Sequence, residues 1–414
     1  MTDNVTLTCT WGRAPLPAGA APQVAYLLIE ARPAATSVAV PQNLCFVLDR
    51  SGSMQGAKLA ALKDATRNVV DMLLPEDIVS IVIFDDTVQT LLPATPAADK
   101  AALKAVIDTI EEAGGTAMSG GMRAGLTELH KHHSGDRVST MLLLTDGQTW
   151  GDEDTCRQIA QELGTAGMKV TALGLGAEGN EKLLDDIASV TGGTSDYVAD
   201  AGQIASFFGR AVRSAQGTLA RDARVLLRLS RDAAPRAVHR VTPTISNLGY
   251  QPIGQNEVAV RLGDLEAGAV ASVVIDMLIQ PRPVGTFRIA QAELHYTPLG
   301  QDTATVIKQD ILLEISANAS APAHDPRVMN LVEKVTAFKL QTRALSEAEA
   351  GNVSGATQKL RAAATRLLDL GELELAKSAE AQATQLEQGQ GVSPESQKAL
   401  TYATRRLTQK LDEG

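Results

Sequence analysis

Aromatic residues make up only 3% of this 414-residue chain: two Trp, five Tyr and six Phe. Its cores must therefore be built from Leu, Val, Ile and Ala, and aromatic platforms for stacking single-stranded nucleic acid are not expected. Cysteine is as scarce. Cys9, Cys45 and Cys156 lie far apart, with no Cys-x-x-Cys pair and no Cys/His cluster, which indicates neither a disulfide framework nor a structural zinc site. An excess of positive charge is missing too: 38 Lys and Arg stand against 48 Asp and Glu, a net charge of −10. That balance disfavours a general nucleic-acid binder. No apolar run reaches the ~18 residues of a spanning helix, and the best, Val270–Gln280, is broken by Asp276. Met1-Thr2-Asp3-Asn4 lacks the basic-then-apolar pattern of a secretory signal, so a soluble, cytoplasmic protein is expected. What remains is ordinary: 44% hydrophobic and 21% charged residues, enough for two to three domains at about 150 residues each.

Four zones differ in pattern. Residues 1–38 hold two strand-like runs, Val5–Thr10 and Val24–Glu30, around a Pro/Gly/Ala loop at Arg13–Pro22. Two strands alone bury no face, so they are predicted to join a later β-sandwich. Across 40–217, the near-continuous apolar runs Leu44–Leu48, Ile78–Phe84, Val138–Leu144 and Val170–Leu175 alternate with amphipathic helices. This is the pattern of a doubly wound α/β domain whose parallel strands are buried on both faces. Residues 218–317 turn to short strand segments (Arg224–Ser230, Val258–Leu262, Ala271–Ile279, Thr286–Tyr296, Thr305–Ile315), as in an antiparallel sandwich. The α/β domain would then be inserted in, or followed by, that sandwich. Residues 325–412 are helical and rich in Ala, Leu, Gln and Glu, with a weak repeat of about twenty residues at Gly351/Ala356 and Gly371/Ala376. A bundle packed on the sandwich is expected there, with a helical docking surface for a second partner as the alternative that the same Leu/Ala pattern from Ala356 to Leu386 would serve.

The informative segment is Phe46-Val47-Leu48-Asp49-Arg50-Ser51-Gly52-Ser53-Met54. A buried strand ends at Asp49, and Asp49, Ser51 and Ser53 form D-x-S-x-S on the following loop. Ligands bind at this edge in doubly wound sheets. Hard oxygens suit Mg²⁺ or Mn²⁺, although the two serines could simply cap a helix. Two further segments shift the balance: Gly114-Gly115-Thr116 places a hydroxyl on a loop before a helix, and Thr145-Asp146-Gly147 ends another apolar strand with an acid. Two carboxylates and three hydroxyls would converge on one sheet edge.

In these motifs, over about residues 40–217, the chain resembles the von Willebrand factor type A family, whose metal-ion-dependent adhesion site is D-x-S-x-S followed by Thr and then Asp. All five positions are filled. The resemblance implies that Ser51, Ser53 and Thr116 coordinate Mg²⁺ through their hydroxyls, with Mn²⁺ and Ca²⁺ as alternatives, and that Asp49 and Asp146 act largely through waters and hydrogen bonds. It further implies an adaptor or scaffold of bacterial cytosolic type that binds an Asp or Glu carboxylate of a protein partner. It admits an AAA+ ATPase or another signalling protein as that partner. The layout also resembles inter-α-trypsin-inhibitor-like proteins and vesicle-coat subunits, in architecture alone. Physically, neutral hydroxyls leave a cation's charge poorly compensated, and an open position then attracts an anionic oxygen. A metal-dependent hydrolase and a self-assembling protein held together by Mg²⁺ are the competing readings.

Other features carry less. Gly174-Leu175-Gly176-Ala177-Glu178-Gly179 matches G-x-G-x-x-G, but it follows the fourth long strand instead of opening the fold, so a turn is predicted. His130, His132 and His133 suit a helix C-terminus. Asp152, Glu153 and Asp154 suit a helix start, close enough to Asp146 to border the metal. No G-x-x-x-x-G-K-[ST], H-E-x-x-H or G-x-S-x-G occurs. Neither Ser51 nor Ser53 has an identifiable histidine partner, and no enzymatic activity is expected.

Overall fold

A computed structural model describes residues 5–35, 39–147, 149, 151–176, 179–317 and 323–411. Expectations placed on residues 1–4, 36–38, 177–178 and 412 lie outside the described residues. Two compact units share the chain: one takes its described residues from 36–221 and 298–303, the other from 1–35, 222–297 and 304–414.

The first unit is a six-stranded sheet in the order Ser195–Val198, Lys169–Leu175, Val138–Thr145, Gln42–Asp49, Ile78–Phe84, Val88–Pro96. Every pairing is parallel except the last. The apolar runs form central strands because both their faces are covered. Side chains alternate across the central strand: Leu44, Phe46 and Leu48 pack with the helices Ala57–Met72 and Ile204–Gln216. Cys45 and Val47 pack on the other side with Met118–His130, Glu153–Thr165 and Glu181–Thr191. Two strands of this unit escaped the sequence reading. Val88–Pro96 is an antiparallel edge strand, half-exposed and containing two prolines that only an edge tolerates. Ser195–Val198 has four residues and a polar start.

In the second unit, Val5–Trp11 and Gln23–Pro33 pair with each other, and Gln23–Pro33 pairs with Ala271–Ile279. With Ala233–Thr242 and Ser246–Asn247 they make a five-stranded sheet. A six-stranded sheet is built on Thr218–Leu229, Glu257–Glu266, Gly285–Pro298 and Thr305–Ser316, with Leu16–Pro17 and Gln251–Gly254 at its edges. Leu16–Pro17 comes from the loop expected at residues 13–22. The helices Pro326–Glu349, Val353–Asp369, Leu373–Glu387 and Pro394–Arg405 follow. Their apolar side chains, Val328, Leu331, Val335, Leu360 and Leu367 among them, cover Leu28, Val241 and Val274 of the five-stranded sheet. Arg327 grips the buried Glu30 carboxylate with its two terminal nitrogens, Nη1 and Nη2. Gly351 and Gly371 sit in the turns before two of the helices, and Ala356 and Ala376 are buried. Among the described residues, no helix is long and apolar enough to cross a membrane.

Candidate metal centre

Three neighbouring strands, Val138–Thr145, Gln42–Asp49 and Ile78–Phe84, end together at the carboxyl edge of the parallel sheet. Backbone hydrogen bonds stitch the loops that leave them. Arg50 N–H donates to the Phe84 carbonyl at 3.0 Å, Ala113 N–H to Arg50 at 2.8 Å and Ala117 N–H to Asp85 at 2.7 Å. Arg50 Nε also meets Asp85 Oδ2 at 2.6 Å, an ion pair with both partners largely buried. Gly115 has φ +55°, and a Cβ built on it would lie 1.5 Å from Asp86 Oδ1. The positive φ of this turn, which presents Thr116, favours glycine.

Asp49 is fully buried. Its Oδ1 accepts the Ser51 N–H at 2.8 Å and its Oδ2 the Thr145 hydroxyl at 2.6 Å. Burial pushes its pKa up, the hydrogen bonds from Thr145 and Ser51 oppose this, and the nearby Asp146 charge reinforces it. The Ser51 and Ser53 hydroxyls stand 3.0 Å apart, and Ser53 donates to Asp146 Oδ1 at 2.6 Å. Lys58 Nζ lies 2.5 Å from Asp146 Oδ2. A Cβ on Gly147 would lie 3.4 Å from Thr116 Oγ1 and 4.0 Å from Asp49 Oδ2, so these two oxygens flank the same glycine. All five predicted site residues are thereby brought to one edge.

The serines are not occupied as caps. Ser51 precedes the 3-10 turn Gly52–Met54 without a side-chain capping bond, and the helix Ala57–Met72 begins after Gly56. Two buried carboxylates crowded by three hydroxyls are a donor set that a hard divalent cation fits. Among the described residues, no group of three or more His, Cys, Asp or Glu is placed to hold a metal. The set at this edge depends on its neutral hydroxyls.

Asp152 has a structural task at its position. Its Oδ2 accepts the Ser119 N–H at 2.8 Å and its Oδ1 the Thr149 hydroxyl, tying the loop after Asp146 to the helix Met118–His130. Glu153 and Asp154 occupy the first turn of their helix. Gly174 and Gly176 close the strand Lys169–Leu175 and the turn after it, while Ala177 and Glu178 lie outside the described residues. His133 Nδ1 is 3.0 Å from Ser139 Oγ, at the amino end of the strand Val138–Thr145, and burial lowers its pKa. The histidine cluster thus sits at the opposite end of the eight-residue strand from Asp146, on the order of 25 Å away. Sequence reasoning missed Thr145, Lys58 and the Arg50–Asp85 pair. A usable signal existed for Lys58: a cation in a first helical turn that holds no acid.

Residues 43–210 match the von Willebrand factor type A domain family, and residues 326–410 match the Sll0103-like C-terminal alpha-helical domain. The chain therefore carries a Rossmann-like von Willebrand factor type A domain and a C-terminal all-helical domain. A Synechocystis relative, "Uncharacterized protein sll0103", is 27% identical over 375 residues, spanning 89% of each chain. Human inter-alpha-trypsin inhibitor heavy chain H3 is 30% identical over 161 residues, which are 36% of this chain and 18% of that protein. The solved structure of a von Willebrand factor type A protein from Catenulispora acidiphila shares the fold, with a TM-score of 0.78 over 98% of both chains and 18% identity.

Proposed function

We propose that the chain is a metal-dependent protein-binding module. Asp49, Ser51, Ser53, Thr116 and Asp146 would hold one divalent cation, Mg²⁺ in the first instance, and a partner's Asp or Glu carboxylate would bind at that cation. The observation that carries this reading is the bond from Ser53 to Asp146 Oδ1, which joins the D-x-S-x-S loop to the acid of another strand 93 residues away. Domains of the von Willebrand factor type A family generally mediate metal-dependent protein interactions, which supports it. When bound, the cation would supply a positive centre with a position open to an anionic oxygen. The chain's own groups prepare for that. Thr145 and the Ser51 N–H fix Asp49, Asp152 and Thr149 brace the loop after Asp146, and Gly115 turns Thr116 toward the others.

We propose binding without turnover at this site. The α/β unit's three histidines, the obvious candidates for a general base, lie at the far end of the sheet or beyond a helix terminus. Titration calorimetry with Mg²⁺ on the wild type, Asp49→Ala and Asp146→Ala tests the site. Magnesium-dependent binding of a capped acidic peptide tests its use. Saturable binding that both substitutions abolish is expected, whereas magnesium binding unaffected by Asp146→Ala would sink the reading.

A further inference from the structure

Lys58 stands in the first turn of the helix Ala57–Met72, the end where the helix dipole repels a cation, and no acid in that turn offsets it. Its ammonium turns inward to Asp146 Oδ2 at 2.5 Å, against a carboxylate side chain with no exposure, while its own side chain is 36% exposed. A lysine so placed is free to extend its stem into water. The other oxygen of the same carboxylate accepts the Ser53 hydroxyl. The contact therefore links Lys58 to the group proposed to face the cation.

Charge decides what this contact does. The site's counter-charges to a divalent cation are the two carboxylates of Asp49 and Asp146, its three hydroxyls being neutral. Lys58 cancels one, leaving a loaded site with one uncompensated positive charge in a setting where its carboxylates are buried and poorly screened. We propose that Lys58 is a specificity-determining residue of this site. By removing half of the site's negative charge, it loosens the hold on the cation alone and makes the loaded site select an anionic group over a neutral one of the same shape. This rests on the metal-binding reading above.

The test uses the full chain as wild type, Lys58→Gln, Lys58→Met and Lys58→Arg, with Mn²⁺ binding followed by electron paramagnetic resonance. Each Mn²⁺-loaded protein is then titrated with a capped Gly-Asp-Gly peptide and its Gly-Asn-Gly counterpart. The neutral variants should bind Mn²⁺ on the order of tenfold more tightly and lose most of the preference for the Asp peptide. Lys58→Arg should keep both wild-type behaviours. Two neutral replacements are included because one could fold poorly, and a melting curve identifies those that fold. Folded neutral variants with unchanged or weaker Mn²⁺ affinity, or with an unchanged Asp-over-Asn preference, overturn the role of Lys58 and leave the metal site standing. Absence of Mn²⁺ binding in the wild type and all variants overturns the metal reading itself, and the role of Lys58 with it.

Discussion

The Thr145 hydroxyl donates to Asp49 Oδ2 at 2.6 Å, joining the last residues of two adjacent parallel strands 96 positions apart in sequence. Both side chains are buried, and the other Asp49 oxygen is held by the Ser51 N–H. The carboxylate cannot rotate without losing a bond. Thr145 is therefore a positioning residue for the candidate centre. Thr145→Val keeps the shape and deletes the donor to a buried carboxylate, a loss of about 1.5–3 kcal/mol. The variant should melt lower than wild type and bind Mg²⁺ more weakly in calorimetry. A lower melting temperature with wild-type Mg²⁺ affinity would reduce Thr145 to a purely structural residue.

Cation binding should itself appear as stability. A cation that binds only the folded chain stabilises it by about 2.7 kcal/mol at a hundredfold excess over its Kd. Part of that gain would come from offsetting the cost of the buried Asp49 charge, whose pKa burial raises. Adding Mg²⁺ to chelator-treated protein should raise the melting temperature of the wild type, and Ser51→Ala and Ser53→Ala should each reduce the rise. Equal rises in wild type and Asp49→Ala would place the binding elsewhere.

The sequence disclosed the parts that physics makes local. Leu44–Leu48 and Val138–Leu144 are legible as strands because a strand covered on both faces must be apolar throughout. D-x-S-x-S is legible because its donors lie two residues apart on one loop. Ala233–Thr242 was illegible for the opposite reason: it contains Pro235 and mixes Arg236, His239 and Arg240 with Val238 and Val241. Its place between Ala271–Ile279 and Ser246–Asn247 is supplied by pairing partners, not by its own pattern. The partners of Thr145 and Lys58 depend on which strands lie side by side, and no local spacing encodes that.

Gly115 offers a test of how far the loop geometry matters. An L-residue at its φ of +55° is strained, and its Cβ would fall 1.5 Å from Asp86 Oδ1. Gly167, at φ +72°, has nothing within 4 Å of a built Cβ and shares only the strain. That strain costs roughly 1–2 kcal/mol. Gly115→Ala must also push the exposed Asp86 carboxylate aside, and because Gly115 directly precedes Thr116 it alone of the two should weaken Mg²⁺ binding. Similar Mg²⁺ affinities in the two variants would show that the position of Thr116 is not set by this turn.

In the second unit, His239 predicts a pH dependence independent of any metal. It is buried on the strand Ala233–Thr242, and its Nδ1 lacks a hydrogen-bond partner. Burial lowers its pKa to about 4; Lys339 and Arg343 add to the fall, and Asp276 opposes it. In the unfolded chain the same imidazole titrates near 6.5. Between those values the unfolded state binds a proton that the folded state does not, so stability declines as pH falls from about 6.5 to about 4. The full span amounts to roughly 3 kcal/mol, of which about 2 kcal/mol is lost by pH 5. Replacing the imidazole by His239→Phe removes this proton uptake, while other acid-sensitive groups act on both proteins alike. Urea unfolding at pH 7 and pH 5 should show the wild type losing about 2 kcal/mol more than the variant over that interval. Equal losses in the two proteins would mean that His239 is protonated in the folded chain as readily as in the unfolded one.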